Sequence, residues 1–189
     1  MTLAAPGPDA AYLAAGPGDD LATIFAAALE SRTHLVVHEL EQAPATETIR
    51  SLLAHLDADP GIASVSALGR AALGALEQAG GSEERPSEAL GPAVVAQRLA
   101  SAPSGVLSVA TPFGPVVALG RGALSRVRAG PGTSTRAAWL ASWAEQAAER
   151  AFTHLLDTTT FVDASVADPP VVDVVPPDAL DDARARDAG

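Results

Sequence analysis

The sequence predicts an α+β fold. It calls for a small mixed or antiparallel sheet with a central hairpin, covered by alanine-rich amphipathic helices and flanked by extended proline-rich termini. Three observations carry this. Residues Gly105–Arg128 form an apolar stretch interrupted by Pro112-Phe113-Gly114-Pro115, whose residues have turn chemistry. Helical and strand periodicities alternate along Asp19–Leu68. Finally, proline, glycine and polar residues crowd both ends of the chain.

In chain order, residues 1–18 read as a flexible arm carrying Pro6, Pro8 and Pro17. Asp19 or Asp20 then caps a helix in which Leu21, Ile24, Phe25, Ala28 and Leu29 share a face. Thr33–Leu40 reads as a strand with His34 and His38 on one side. Thr46–Leu56 is a second amphipathic helix, and Ile62–Leu68 a second strand after the Asp59-Pro60-Gly61 turn. Gly69–Ala79 and Pro86–Ala102 read as helices, with a possible sub-boundary near 81–87.

The hairpin is expected to pair Val106–Val109 with a strand running from Val116 towards Val127. Val116 and Val117 break strict alternation, which predicts partial cover of the second face. Gly120 and Gly122 predict a bulge or a close backbone approach. Thr133 or Ser134 then caps a long helix over Thr135–Leu156, and Thr158–Val166 reads as a last strand. The single domain spans 19–167, and 168–189 is an acidic proline-rich tail.

Composition narrows the chemistry. Net charge is −11, and all 12 basic residues are arginine, the codon signature of a high-GC bacterium or phage. Lacking lysine, the chain has neither a Schiff-base amine nor the P-loop and kinase lysines. Lacking cysteine, it has neither disulfides nor thiolate chemistry. The acidic balance argues against nucleic acid and anionic membrane surfaces. Leu99–Gly120 is uncharged, but Pro103, Pro112 and Pro115 disqualify it as a membrane helix. Cytoplasm is the expected compartment, or a virion or particle if the chain is an assembly component.

Candidate sites are sparse, and neither a catalytic residue, a metal nor a cofactor is nominated. On a strand, His34 and His38 stand about 13 Å apart, too far for one metal. His55 is expected to be exposed. His154 and Asp157 are expected at a helix end, without the Gly-x-Ser-x-Gly elbow of a hydrolase. Gly130, Gly132, Thr133, Ser134 and Arg136 form a glycine-bearing loop into a helix N-terminus, a candidate anion site. Trp139 and Trp143 read first as core, and with Phe113 they are the interface candidates.

The expected function is a non-enzymatic structural or assembly subunit, binding itself or other protein subunits, for example in a phage tail or injection machine. An uncharged hairpin suits strand addition. The alternative is an anionic-ligand domain or enzyme using the Gly130–Arg136 loop.

Overall fold

The computed structural model describes residues 12–70, 73, 105–128 and 135–164. Ten elements follow in order: β1 (Tyr12–Ala15), α1 (Leu21–Ser31), β2 (His34–His38), α2 (Thr46–Ala58), β3 (Ile62–Gly69), β4 (Val106–Val109), β5 (Val116–Leu119), α3 (Arg121–Arg126), α4 (Arg136–Ala148) and β6 (Thr153–Val162). The six strands form one mixed sheet in the order β1-β2-β5-β3-β6-β4, confirming the α+β class. β1/β2 and β3/β6 are parallel, and the remaining neighbours are antiparallel.

Both faces of the sheet are covered. The α1 stripe Leu21, Phe25 and Ala28 packs with Ala123 and Leu124 of α3 and with Trp139, Leu140, Trp143 and Ala147 of α4. Beneath them lie Leu35, Val37, Val117 and Leu119. The opposite face carries Val36, Val65, Val116 and Ala118 under Ile49, Leu52 and Leu56 of α2. The adjacent Val116 and Val117 thus serve opposite faces of a fully buried strand.

The hairpin expectation is overturned. β4 and β5 do not pair; β6 and β3 stand between them, and β4 lies at the sheet edge. The strand pairings make β4 and β5 point the same way, whereas hairpin strands point oppositely. Residues 110–115 therefore cross the sheet rather than turn back. Pro112 and Pro115 have no N–H to offer a ladder, and the Phe113 N–H donates to Ser66 Oγ at 3.3 Å. The Phe113 ring is buried with Leu68, Leu73, Val109 and Leu156. Gly114 adopts φ 118°, and a Cβ there would stand 2.7 Å from the Ala67 carbonyl oxygen. Turn chemistry is present, but it serves a crossing.

Other boundaries also move. Tyr12–Ala15 belongs to the sheet, with Ala15 fully buried, so the arm predicted over 1–18 already contributes a strand. β5 ends at Leu119, and α3 occupies the rest of the strand expected towards Val127. Gly120 makes the close approach rather than a bulge. Its N–H donates to the Ala63 carbonyl at 2.7 Å, and a Cβ would meet the Ile62 oxygen at 2.7 Å. α4 stops at Ala148, eight residues short of Leu156. Ala151 takes a left-handed φ of 59°, and the Phe152 N–H closes back on the Ala147 carbonyl. Alanine in this position leaves no mark in the sequence, so the last strand begins at Thr153 rather than Thr158.

The first two helices and the next two strands match their predicted positions closely, with Asp20 as the N-cap of α1. The Pro86–Ala102 helix, most of the Gly69–Ala79 helix, the 81–87 boundary and the 168–189 tail lie outside the described residues. Among the described residues, no helix is long and apolar enough to cross a membrane.

Gly120→Ala is expected to destabilise the fold by about 1–3 kcal/mol, because the added methyl drives β5 away from the Ile62 carbonyl. Urea unfolding of the variant against the wild type measures this.

Candidate functional site

Of the predicted anion loop, Gly130, Gly132, Thr133 and Ser134 lie outside the described residues. Arg136 is described, and its donors are already engaged. One terminal nitrogen donates to the Ala15 carbonyl at 3.0 Å and to the His38 carbonyl at 2.8 Å; the other donates to the Gly16 carbonyl. Its Nε lies 3.8 Å from the Glu39 carboxylate. The planar fork thereby closes the C-terminal ends of β1 and β2 against the first turn of α4. Thr135, rather than Thr133 or Ser134, is the N-cap, its hydroxyl accepting the Ala138 N–H at 3.2 Å.

The histidines and acids form interior contacts. His154 and Asp157 lie on β6, not at a helix end, and engage different partners. His154 Nε2 donates to the Ala144 carbonyl of α4 at 3.2 Å, so its Nδ1 accepts from the Ser64 hydroxyl at 2.8 Å. Burial holds this imidazole neutral, its pKa lowered from 6.5 to about 4. The Trp143 ring meets it edge-on at 6.0 Å. The Trp143 indole N–H is buried with no hydrogen-bond partner among the described residues.

Asp157 points to α2. Its carboxylate accepts bonds from the Ser51, Thr159 and Thr160 hydroxyls and from the Thr159 and Thr160 N–H groups. Burial alone would raise its pKa, but these donors outweigh it and hold the carboxyl below its ordinary value. His55 Nε2 stands 3.5 Å away, so His55 is half-buried rather than exposed. The cluster sits where β6 bulges, the β3 partner stepping from Asp157 to Phe161 between Ala67 and Leu68. Sequence reasoning missed this cluster, although Asp157 followed by three threonines is a recognisable Asx-turn signal.

His34 and His38 are both buried. His34 Nδ1 accepts the Arg121 N–H, so Nε2 donates to Asp57. His38 Nδ1 donates to the Leu40 carbonyl, and burial lowers its pKa. Among the described residues no three His, Cys, Asp or Glu side chains come together to hold a metal. The interface candidates Trp139, Trp143 and Phe113 are all buried within this chain.

The exposed features lie at β4. Val106 is 41% exposed, the more exposed of the two large apolar side chains at the described surface. The Thr158 N–H bonds the Gly105 carbonyl, and the ladder continues through Leu107/Leu156 and Val109/His154. Antiparallel alternation therefore turns the N–H and C=O groups of Val106 and Ser108 outward. Where β4 ends, an open cleft of about 680 Å³ runs between Ala110–Thr111 and Ala141, Ser142 and Glu145 of α4, with Glu149 at the helix C-cap. No family model, curated protein or solved structure matches the chain.

Two predictions follow from the buried polar groups. Arg136→Ala is expected to cost about 2–3 kcal/mol by orphaning carbonyls, with Arg136→Lys intermediate because one ammonium lacks the fork; chemical denaturation reads both. His154 binds a proton more readily unfolded than folded, so its contribution is complete above pH 6.5 and is lost as pH falls towards about 4. The loss amounts to about 3 kcal/mol. The pH dependence of unfolding in this window should flatten in His154→Gln, leaving the smaller slope from His38, whose shift has the same sign. Asp157 acts only below its unfolded value of 3.8.

Proposed function

We propose that the chain is a non-enzymatic interaction or assembly subunit that takes up an extended segment of another polypeptide along β4. The observation that carries this reading is the outward set of backbone groups at Val106 and Ser108, on an edge strand without a charged residue. Exposed edges are ordinarily guarded by charge, proline or a bulge, because an unguarded one templates strand addition. β4 carries none of these guards within its four residues. Such a subunit works in the cytoplasm or within a particle that it helps to build.

The anionic-ligand alternative loses support, since the arginine that would supply its fork is committed to three carbonyls. The interior histidines and Asp157 are likewise committed to structural bonds.

Ser108→Pro tests the proposal, because proline on the outer side of an edge strand removes the N–H that would donate to a partner's carbonyl, without touching the ladder to β6. A fluorescein-labelled peptide of alternating threonine and valine is expected to bind the wild-type chain saturably and the variant at least about tenfold more weakly. Thermal unfolding of the two proteins should coincide. Equal binding to both, or no binding to the wild type, would contradict strand addition at β4.

A further inference from the structure

The cleft beside α4 begins at Ala110, the residue that follows β4. We infer that edge and cleft form one docking surface, and that its occupant is an extended segment of a different protein carrying arginine or lysine just beyond the added strand. The inference rests on the strand-addition reading and adds to it the chemistry of the partner.

A strand laid along β4, in either direction, has one end passing Val109. From there the surface it meets changes from backbone groups to side chains. Ala110, Ala141 and Thr111 are short, leaving space that a long side chain from the partner fills. Glu145 and Glu149 stand one turn apart on the same wall. Glu145 has no ion pair among the described residues, and the cation nearest Glu149 is its neighbour Arg150, at 4.0 Å. An arginine or lysine entering here lays its methylenes over the alanine methyls and brings its charge to the carboxylates.

The charge balance separates this occupant from a second copy. Each copy carries a net charge of −11 and its own glutamate pair, so two copies approach against repulsion, whereas a basic segment is drawn in. β4 is uncharged and its backbone groups accept any extended sequence. Selectivity must then come from outside the strand, which is what Glu145 and Glu149 provide.

The test uses the full chain and two labelled peptides sharing a Thr-Val-Thr-Val-Thr core, one flanked at both ends by Gly and paired arginines, the other by Gly and paired glutamates. Fluorescence anisotropy at about 50 mM salt is expected to give roughly tenfold tighter binding of the arginine peptide. Glu145→Arg with Glu149→Arg should reverse that order. Glu30→Arg with Glu41→Arg, the same change in net charge on exposed positions elsewhere, should preserve it. Equal affinity for both peptides, or an order unchanged by the α4 pair, overturns the inference while leaving strand addition standing if Ser108→Pro still weakens both. Charge preference that survives Ser108→Pro at full strength counts instead against the strand reading. A concentration-dependent dimer in sedimentation velocity that the arginine peptide fails to dissociate identifies a second copy as the occupant and overturns the basic partner.

Discussion

The arrangement of this sheet depends on the crossing of residues 110–115 over β6 and β3. Six residues, two of them prolines, carry the chain across a sheet face with little backbone hydrogen bonding of their own. Burial of Phe113 and the bond from its N–H to Ser66 Oγ hold the segment down, and Gly114 permits contact with the Ala67 carbonyl that a side chain would prevent. The crossing delivers β5 to the centre of the sheet, where β2 and β3 satisfy it on both sides. It also leaves β4 at the rim, bonded only through β6 among the described residues. One connection thereby joins a strand bonded on both sides to a strand bonded on one.

A sheet buried on both faces must account for its polar groups, and here each is matched to a particular element. Arg136 ties α4 to the exits of β1 and β2; His154 and Ser64 join β6 and β3 to α4; Asp157 joins β6 to α2 through Ser51. These bonds link the helices to the sheet at both faces and across its width. Because a buried group without its partner costs more than the bond itself contributes, each contact specifies the position of the helix it holds. The same bonds occupy both ring nitrogens of His34 and of His154 and both oxygens of the Asp157 carboxylate.

Elements whose signals are local were legible in the sequence. The α1 stripe with its Asp20 cap, the α2 stripe from Thr46, and the strands around His34–His38 and Ile62–Gly69 follow from periodicity and capping alone. Strand partners were not legible, because Pro112-Phe113-Gly114-Pro115 is equally suited to a hairpin and to a crossing; the deciding contacts, Ser66 and Ala67, lie more than forty residues away. The clearest available hint was the unalternating Val116-Val117, which marks a strand buried on both faces. Alanine hid the end of α4, since the left-handed turn at Ala151 falls on a good helix former. The candidate site was misread for a related reason. Arg136 in the first turn of a helix resembles an anion fork until the Ala15 and Gly16 carbonyls at the end of β1, placed by the sequence in a flexible arm, and the His38 carbonyl of β2 occupy it.

Residue-resolved amide hydrogen exchange on the full chain tests the central claim that β5 is interior and β4 is an open edge. The account predicts slow exchange throughout β5 and at Leu107 and Val109, with fast exchange at Val106 and Ser108, whose N–H groups face away from β6. Uniform protection along β4, with an unprotected alternate register in β5, would contradict it.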